Sequence, residues 1–125
     1  MRAYLLVFLG AGIGGALRHA VNLLSMRLLG PSLPYATFAV NVLGSFAMGV
    51  LAGWFALRGD FSQGLRLFLT TGILGGYTTF SAFSLDVALL TERHEFGMAA
   101  FYVLASVAFS IGGLFAGLAL VRHFS

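Results

Sequence analysis

Apolar residues run along this chain in four long stretches, roughly residues 3–29, 35–57, 65–90 and 96–121, separated by short polar breaks. A helix needs about 20 consecutive apolar residues to cross a bilayer core, so each stretch reads as one membrane-spanning helix. The breaks hold most of the punctuation: Gly30, Pro31 and Pro34, then Arg58, Gly59 and Asp60, then Thr91 to Glu95. Nothing is left over for a soluble domain. The expected architecture is therefore all-α, one four-span membrane domain over residues 1–125.

Within the spans, small and polar residues recur at helical spacing. Gly10 and Gly14, Gly49 and Gly53, Gly72 and Gly76, and Gly113 and Gly117 are pairs at four-residue spacing. Such pairs let helix backbones approach in lipid, where no hydrophobic drive brings them together. Thr37, Asn41 and Ser45 share one face of the second span, and Tyr102, Ser106 and Ser110 share one face of the fourth, with Gly113 continuing the line. Polar residues are costly in hydrocarbon, so both stripes are expected to face protein or a polar cavity.

The third span departs most from a plain apolar helix. Residues 75–84 read GGYTTFSAFS. Gly72, Gly75 and Gly76 are poor helix formers and Thr78 and Thr79 are β-branched, so the helix is predicted to break near its middle. Freed carbonyls at such a break can bind a cation when protein or a polar cavity surrounds them; a kink packed against a neighbour is the plainer outcome. Beyond it Phe80 and Phe83 share a face, and Ser81 and Ser84 share the adjacent one. Ring edges carry partial positive charge, so edges beside hydroxyls suit a small, hard anion.

Composition agrees: 59% of the 125 residues are hydrophobic and 9% charged, against about 25% charged in soluble domains. With no cysteine, disulfides and thiolate metal sites are excluded. The start, MRAYLLVFLGAGIGGA, has the outline of a signal peptide, but the apolar run continues and three further spans follow. With an even number of spans, Arg2, Arg58, Arg66 and Arg122 lie on one side and Arg27 and Arg93 on the other, with Arg18 near the membrane edge. That asymmetry is weak, so insertion in both orientations stays open.

Candidate chemistry is sparse. GAGIGG at residues 10–15 lacks the strand and acidic residue of a dinucleotide site. Glu92 to Glu95, ERHE, falls in a turn, and His19 and His123 have no partner at metal-ligand spacing. No nucleophile, base and orienting group can be assembled, so no enzyme is expected. Asp86 is the one carboxylate placed inside a span, where snorkelling or an arginine partner would satisfy it. Arg18 either faces a water-filled vestibule and attracts an anion or snorkels to lipid phosphate. Seven basic residues, all arginine, against four acids favour anions, and the lack of a soluble basic face argues against nucleic acid.

TFAVNVLGSFAMG around Asn41, GGYTTFSAFS and GAGIGGALRH together closely resemble the CrcB/Fluc family of fluoride channels, over essentially the whole chain. The resemblance implies an antiparallel, dual-topology homodimer in the cell inner membrane that exports fluoride passively through two pores. It implies that Asn41 donates to fluoride, that Phe80 and Phe83 offer ring edges, and that Thr79, Ser81, Tyr102, Ser110 and, less directly, Ser106 line the path. Arg18 would sit in a vestibule. A structural sodium ion at the dimer centre would be held by the Gly75 and Thr78 backbone carbonyls. Two departures stand out: Ala82 where the family has Thr, and His19 where it has an aromatic residue. Two other readings stay open, a small proton-coupled transporter using Asp86 and a non-transporting assembly factor whose polar residues only join helices.

Overall fold

In the computed structural model, which describes residues 1–31, 33–59 and 62–124, the chain is all-helical. Helix α1 spans Arg2–Leu29, α2 Tyr35–Arg58, the interrupted third span Gln63–Glu92, and α4 Phe96–His123. Each is long and apolar enough to cross a membrane. The protein is a multi-pass integral membrane protein. Asp60, expected in the second loop, lies outside the described residues.

The first half of the third span, α3a, comprises Gln63–Arg66, a wider-wound Leu67–Leu74 and Gly75–Tyr77. The wide winding is visible where the Gly75 N–H reaches the Thr70 carbonyl, five residues back. Thr78 and Thr79 are then extended, with φ/ψ of −81°/158° and −153°/121°, and the second half, α3b, runs Phe80–Glu92. The predicted break is present, and it falls at the two threonines. Gly75 and Gly76 stay helical, and Gly76 packs closely on Ala11 of α1.

That packing divides the bundle into two layers: α1 lies along α3a, α2 lies along α4, and α3b packs on α4. A Cβ at Gly10 would stand 2.7 Å from the Phe68 carbonyl oxygen, and one at Gly76 would stand 2.5 Å from that of Ala11. Gly14 is tighter still, against the Ile73 carbonyl, while Gly49 and Gly117 press on Leu114 and Phe46 across α2 and α4. Contacts to backbone cannot be relieved by a rotamer change, so these positions set the interhelical distance.

Between α3b and α4, Phe83, Leu90, Ala99 and Tyr102 form a buried cluster joined by Leu33, Phe38, Val87 and Val103. Asp86 lies beside it, and its Oδ2 accepts the Tyr102 hydroxyl at 3.0 Å. A tyrosine rather than an arginine therefore satisfies this carboxylate. The ERHE segment is an exposed turn, with Arg93 Nε 3.2 Å from Glu95 Oε2 and His94 at φ 61°. Among the described residues no group of three His, Asp or Glu side chains could hold a metal.

Gly14→Ala is expected to destabilise the folded protein by about 1–3 kcal/mol, because α1 must move off α3a. Gly12, on the same helix, has nothing within 4 Å of a built Cβ, so Gly12→Ala should change stability by less than about 1 kcal/mol. Thermal unfolding of the two detergent-solubilised variants beside the parent checks the contrast.

Candidate functional site

The break must satisfy backbone groups that no helix pairs. Thr79 lies in extended conformation beside α2, and the Asn41 side chain meets it as another peptide group would. The Thr79 N–H donates to Asn41 Oδ1 at 2.8 Å, and Asn41 Nδ2 donates to the Thr79 carbonyl at 3.0 Å. These two bonds fix which way the amide points. One N–H of Asn41 is thereby used, and its second remains for the groove that Asn41 lines.

Thr79 also starts the next helix, since its Oγ1 accepts the Ala82 N–H at 3.1 Å as an N-cap. The same oxygen lies 3.2 Å from Ser81 Oγ. On the other side of the break, Leu74 O accepts from both the Thr78 N–H, at 3.0 Å, and the Thr78 hydroxyl, at 2.9 Å. Arg18 Nε donates to the Gly76 carbonyl at 3.3 Å. Among the described residues, the bonds around the break leave the Gly75, Tyr77 and Thr78 carbonyls unclaimed.

An open groove of about 400 Å3 runs past the break between α2, the third span and α4. It gathers most of the residues singled out in the sequence: Asn41, Gly75, Thr78, Thr79, Phe80, Phe83, Ser106 and Ser110. Phe80 and Phe83 have ring centroids 5.5 Å apart with planes tilted by 50°, so they do not stack face to face. Phe83 is buried at 9% exposure, whereas Phe80 is 77% exposed at the groove's open side. Ser106 is 5% exposed, and among the described residues its hydroxyl has no hydrogen-bond partner. A buried hydroxyl without a partner costs about 1–3 kcal/mol.

Three expected residues lie off the groove. Tyr102 is buried behind it, its ring 5.2 Å from that of Phe83 and its hydroxyl on Asp86. Ser81 is exposed and bonded to Thr79. Arg18 approaches from α1. The structure adds Gly44 and Met48, which with Asn41 and Ser45 follow the i, i+3, i+4, i+7 spacing of one helix face. That spacing was available in the sequence; a Met simply carried no polar flag.

The sequence has counterparts among known proteins. The family model described as CrcB-like protein, Camphor Resistance (CrcB), matches residues 5–118. The chain belongs to the CrcB/FluC family. It is 65% identical over 119 residues to a fluoride-specific ion channel FluC of Rhodopseudomonas palustris (strain BisB5), covering 95% of this chain and 96% of that one. It is 59% identical over 120 residues to fluoride-specific ion channel FluC 2 of Nitrobacter hamburgensis, covering 96% and 97%. A FluC of Beijerinckia indica is 56% identical over 127 residues, with both chains covered in full. CrcB/FluC proteins are non-catalytic, in keeping with the absence of an assembled catalytic group in the sequence.

Asn41→Ala removes both bonds to Thr79. It should expose the Thr79 amide by about 2 kcal/mol, an increase of about thirtyfold in its hydrogen exchange. Asn41→Asp keeps the acceptor but sets an oxygen against the Thr79 carbonyl, so its exchange should also rise. Exchange mass spectrometry on the segment around Thr79 measures both.

Proposed function

We propose that this chain is a fluoride-selective passive channel of the inner membrane, working as an antiparallel homodimer with one pathway along each of two grooves. The observation that carries the reading is the groove in which the Asn41 amide, with one N–H left over from Thr79, stands beside the Phe80 and Phe83 rings and the Ser106 and Ser110 residues. Membership of a family whose relatives are named as fluoride-specific channels supports fluoride as the ion.

Fluoride is small and strongly hydrated, so a pathway must return close donors for the water it strips. Asn41 offers its second N–H, Ser106 and Ser110 offer hydroxyls, and Phe80 and Phe83 offer ring edges, as far as their tilt exposes them. Thr79 and Ser81 extend the polar track at the start of α3b, and Tyr102 backs Phe83 from behind. Ala82 contributes no hydroxyl to that track; its N–H serves the Thr79 cap. A chloride ion is too large to make the same contacts together.

One chain supplies one open wall, with Phe80 exposed on it. A second copy inserted in the opposite sense would close the groove, and the weak arginine asymmetry permits both orientations. The Gly75 and Thr78 carbonyls fit a hard cation, which takes neutral oxygen ligands. Two oxygens are too few for it, so the partner's equivalent pair would complete the set. A bound sodium ion would supply a fixed positive charge that ties the two breaks together.

No energy source is needed. Hydrogen fluoride enters as a neutral acid and dissociates in a more alkaline cytoplasm, and a negative-inside potential contributes about 2.3 kcal/mol per charge per 100 mV to expel the anion. Liposomes holding the purified protein should release fluoride rapidly and chloride negligibly; equal release of both overturns the reading. Ser106→Ala should slow fluoride release about tenfold, the effect of about 1.4 kcal/mol of lost donor. Flux that follows a pH gradient and vanishes in Asp86→Asn would instead support proton coupling through Asp86.

A further inference from the structure

We propose that Arg18 is a positioning residue for the cation site, holding the Gly76 carbonyl on the α1 side while Gly75 and Thr78, which line the groove, keep their carbonyls for the ion. This rests on the sodium reading given above. Four carbonyls come free where α3a ends, at Leu74, Gly75, Gly76 and Tyr77. Leu74 O is occupied twice by Thr78, and Gly76 O is occupied by the Arg18 Nε–H at 3.3 Å; Tyr77 lies on the α1 side with Leu17 and Val21 and does not line the groove, whereas Gly75 and the extended Thr78 do.

The two neighbouring glycines face different surroundings. A Cβ on Gly76 would stand 2.8 Å from Ala11 Cα, so this residue is pressed on α1 and does not line the groove. A Cβ on Gly75 would have only Thr70 O within 4 Å, at 3.6 Å, and Gly75 lines the groove with Thr78. Helical carbonyls at a C-terminus carry partial negative charge. Left unbonded, the Gly76 carbonyl could tilt and draw the last turn out of register with the ion. Arg18 prevents this from a helix that is itself locked on α3a by Gly10 and Gly14. Its charge also offsets the negative end of α3a from the side remote from the groove.

The test is sodium-dependent stability rather than flux. The full-length protein in detergent is melted across a sodium titration, with N-methyl-D-glucamine replacing sodium at constant chloride. Binding to the folded form should raise the melting temperature with sodium. Arg18→Ala should need about tenfold more sodium for the half-maximal rise, the usual loss when a residue behind a ligand is removed. Arg18→Lys, whose ammonium is a point donor without the fixed fork, should need about threefold more. If Arg18→Ala does not fold, Arg18→Lys carries the comparison. An unshifted sodium requirement in the folded variants overturns the proposal, as does a lowered one, which would mean that Arg18 acts by repelling the ion. A parent protein whose melting ignores sodium overturns the sodium reading itself, and with it the role of Arg18.

Discussion

A helix that opens inside a membrane must find partners for its backbone without water, and here one asparagine side chain supplies them. The Asn41 amide pairs with both the N–H and the carbonyl of Thr79, replacing the bonds that an unbroken helix would have made. With Thr79 held extended, its hydroxyl is free to cap α3b. That cap sets the direction of the first turn, and the first turn carries Phe80 and Phe83. Position of the rings, course of the helix and orientation of the Asn41 amide thus depend on one pair of bonds.

The other side of the break is held by close backbone contact. Gly10 and Gly14 bring α1 against α3a until carbonyls and Cα atoms touch, and Gly76 returns the contact to Ala11. In lipid such contacts do the work that apolar burial does in water. Gly49 and Gly117 perform the same office between α2 and α4, bringing the Asn41 stripe alongside the Ser106 stripe. The groove is the space left between the two layers where α3b turns away.

Two of the charges within the spans are answered by a hydrogen-bond partner. The Asp86 carboxylate takes the Tyr102 hydroxyl and the Arg18 guanidinium takes a freed carbonyl. Both arrangements spend polar groups on structure that the groove might otherwise have used, which is why Tyr102 sits behind Phe83. The groove keeps the neutral donors, and neutral donors suit an ion that must leave as readily as it enters.

The four spans, the small-residue seams and the interruption of the third helix were legible in the sequence, because each rests on local properties: apolar length, helical periodicity, and the weak helix preference of glycine and threonine. Asn41, Phe80, Phe83 and the serine stripes stood out for the same reason, as residues whose cost or spacing needed explaining. Which partner each took was not local. That Asn41 binds the backbone of Thr79, that the chain opens at the threonines while Gly76 packs on α1, and that Asp86 pairs with Tyr102 rather than an arginine depend on which helices are docked, the two side-chain pairings reaching across 38 and 16 residues of sequence. Such distances are set only when the helices are docked, because a hydrogen bond within the membrane goes to whichever group the packing brings within 3 Å.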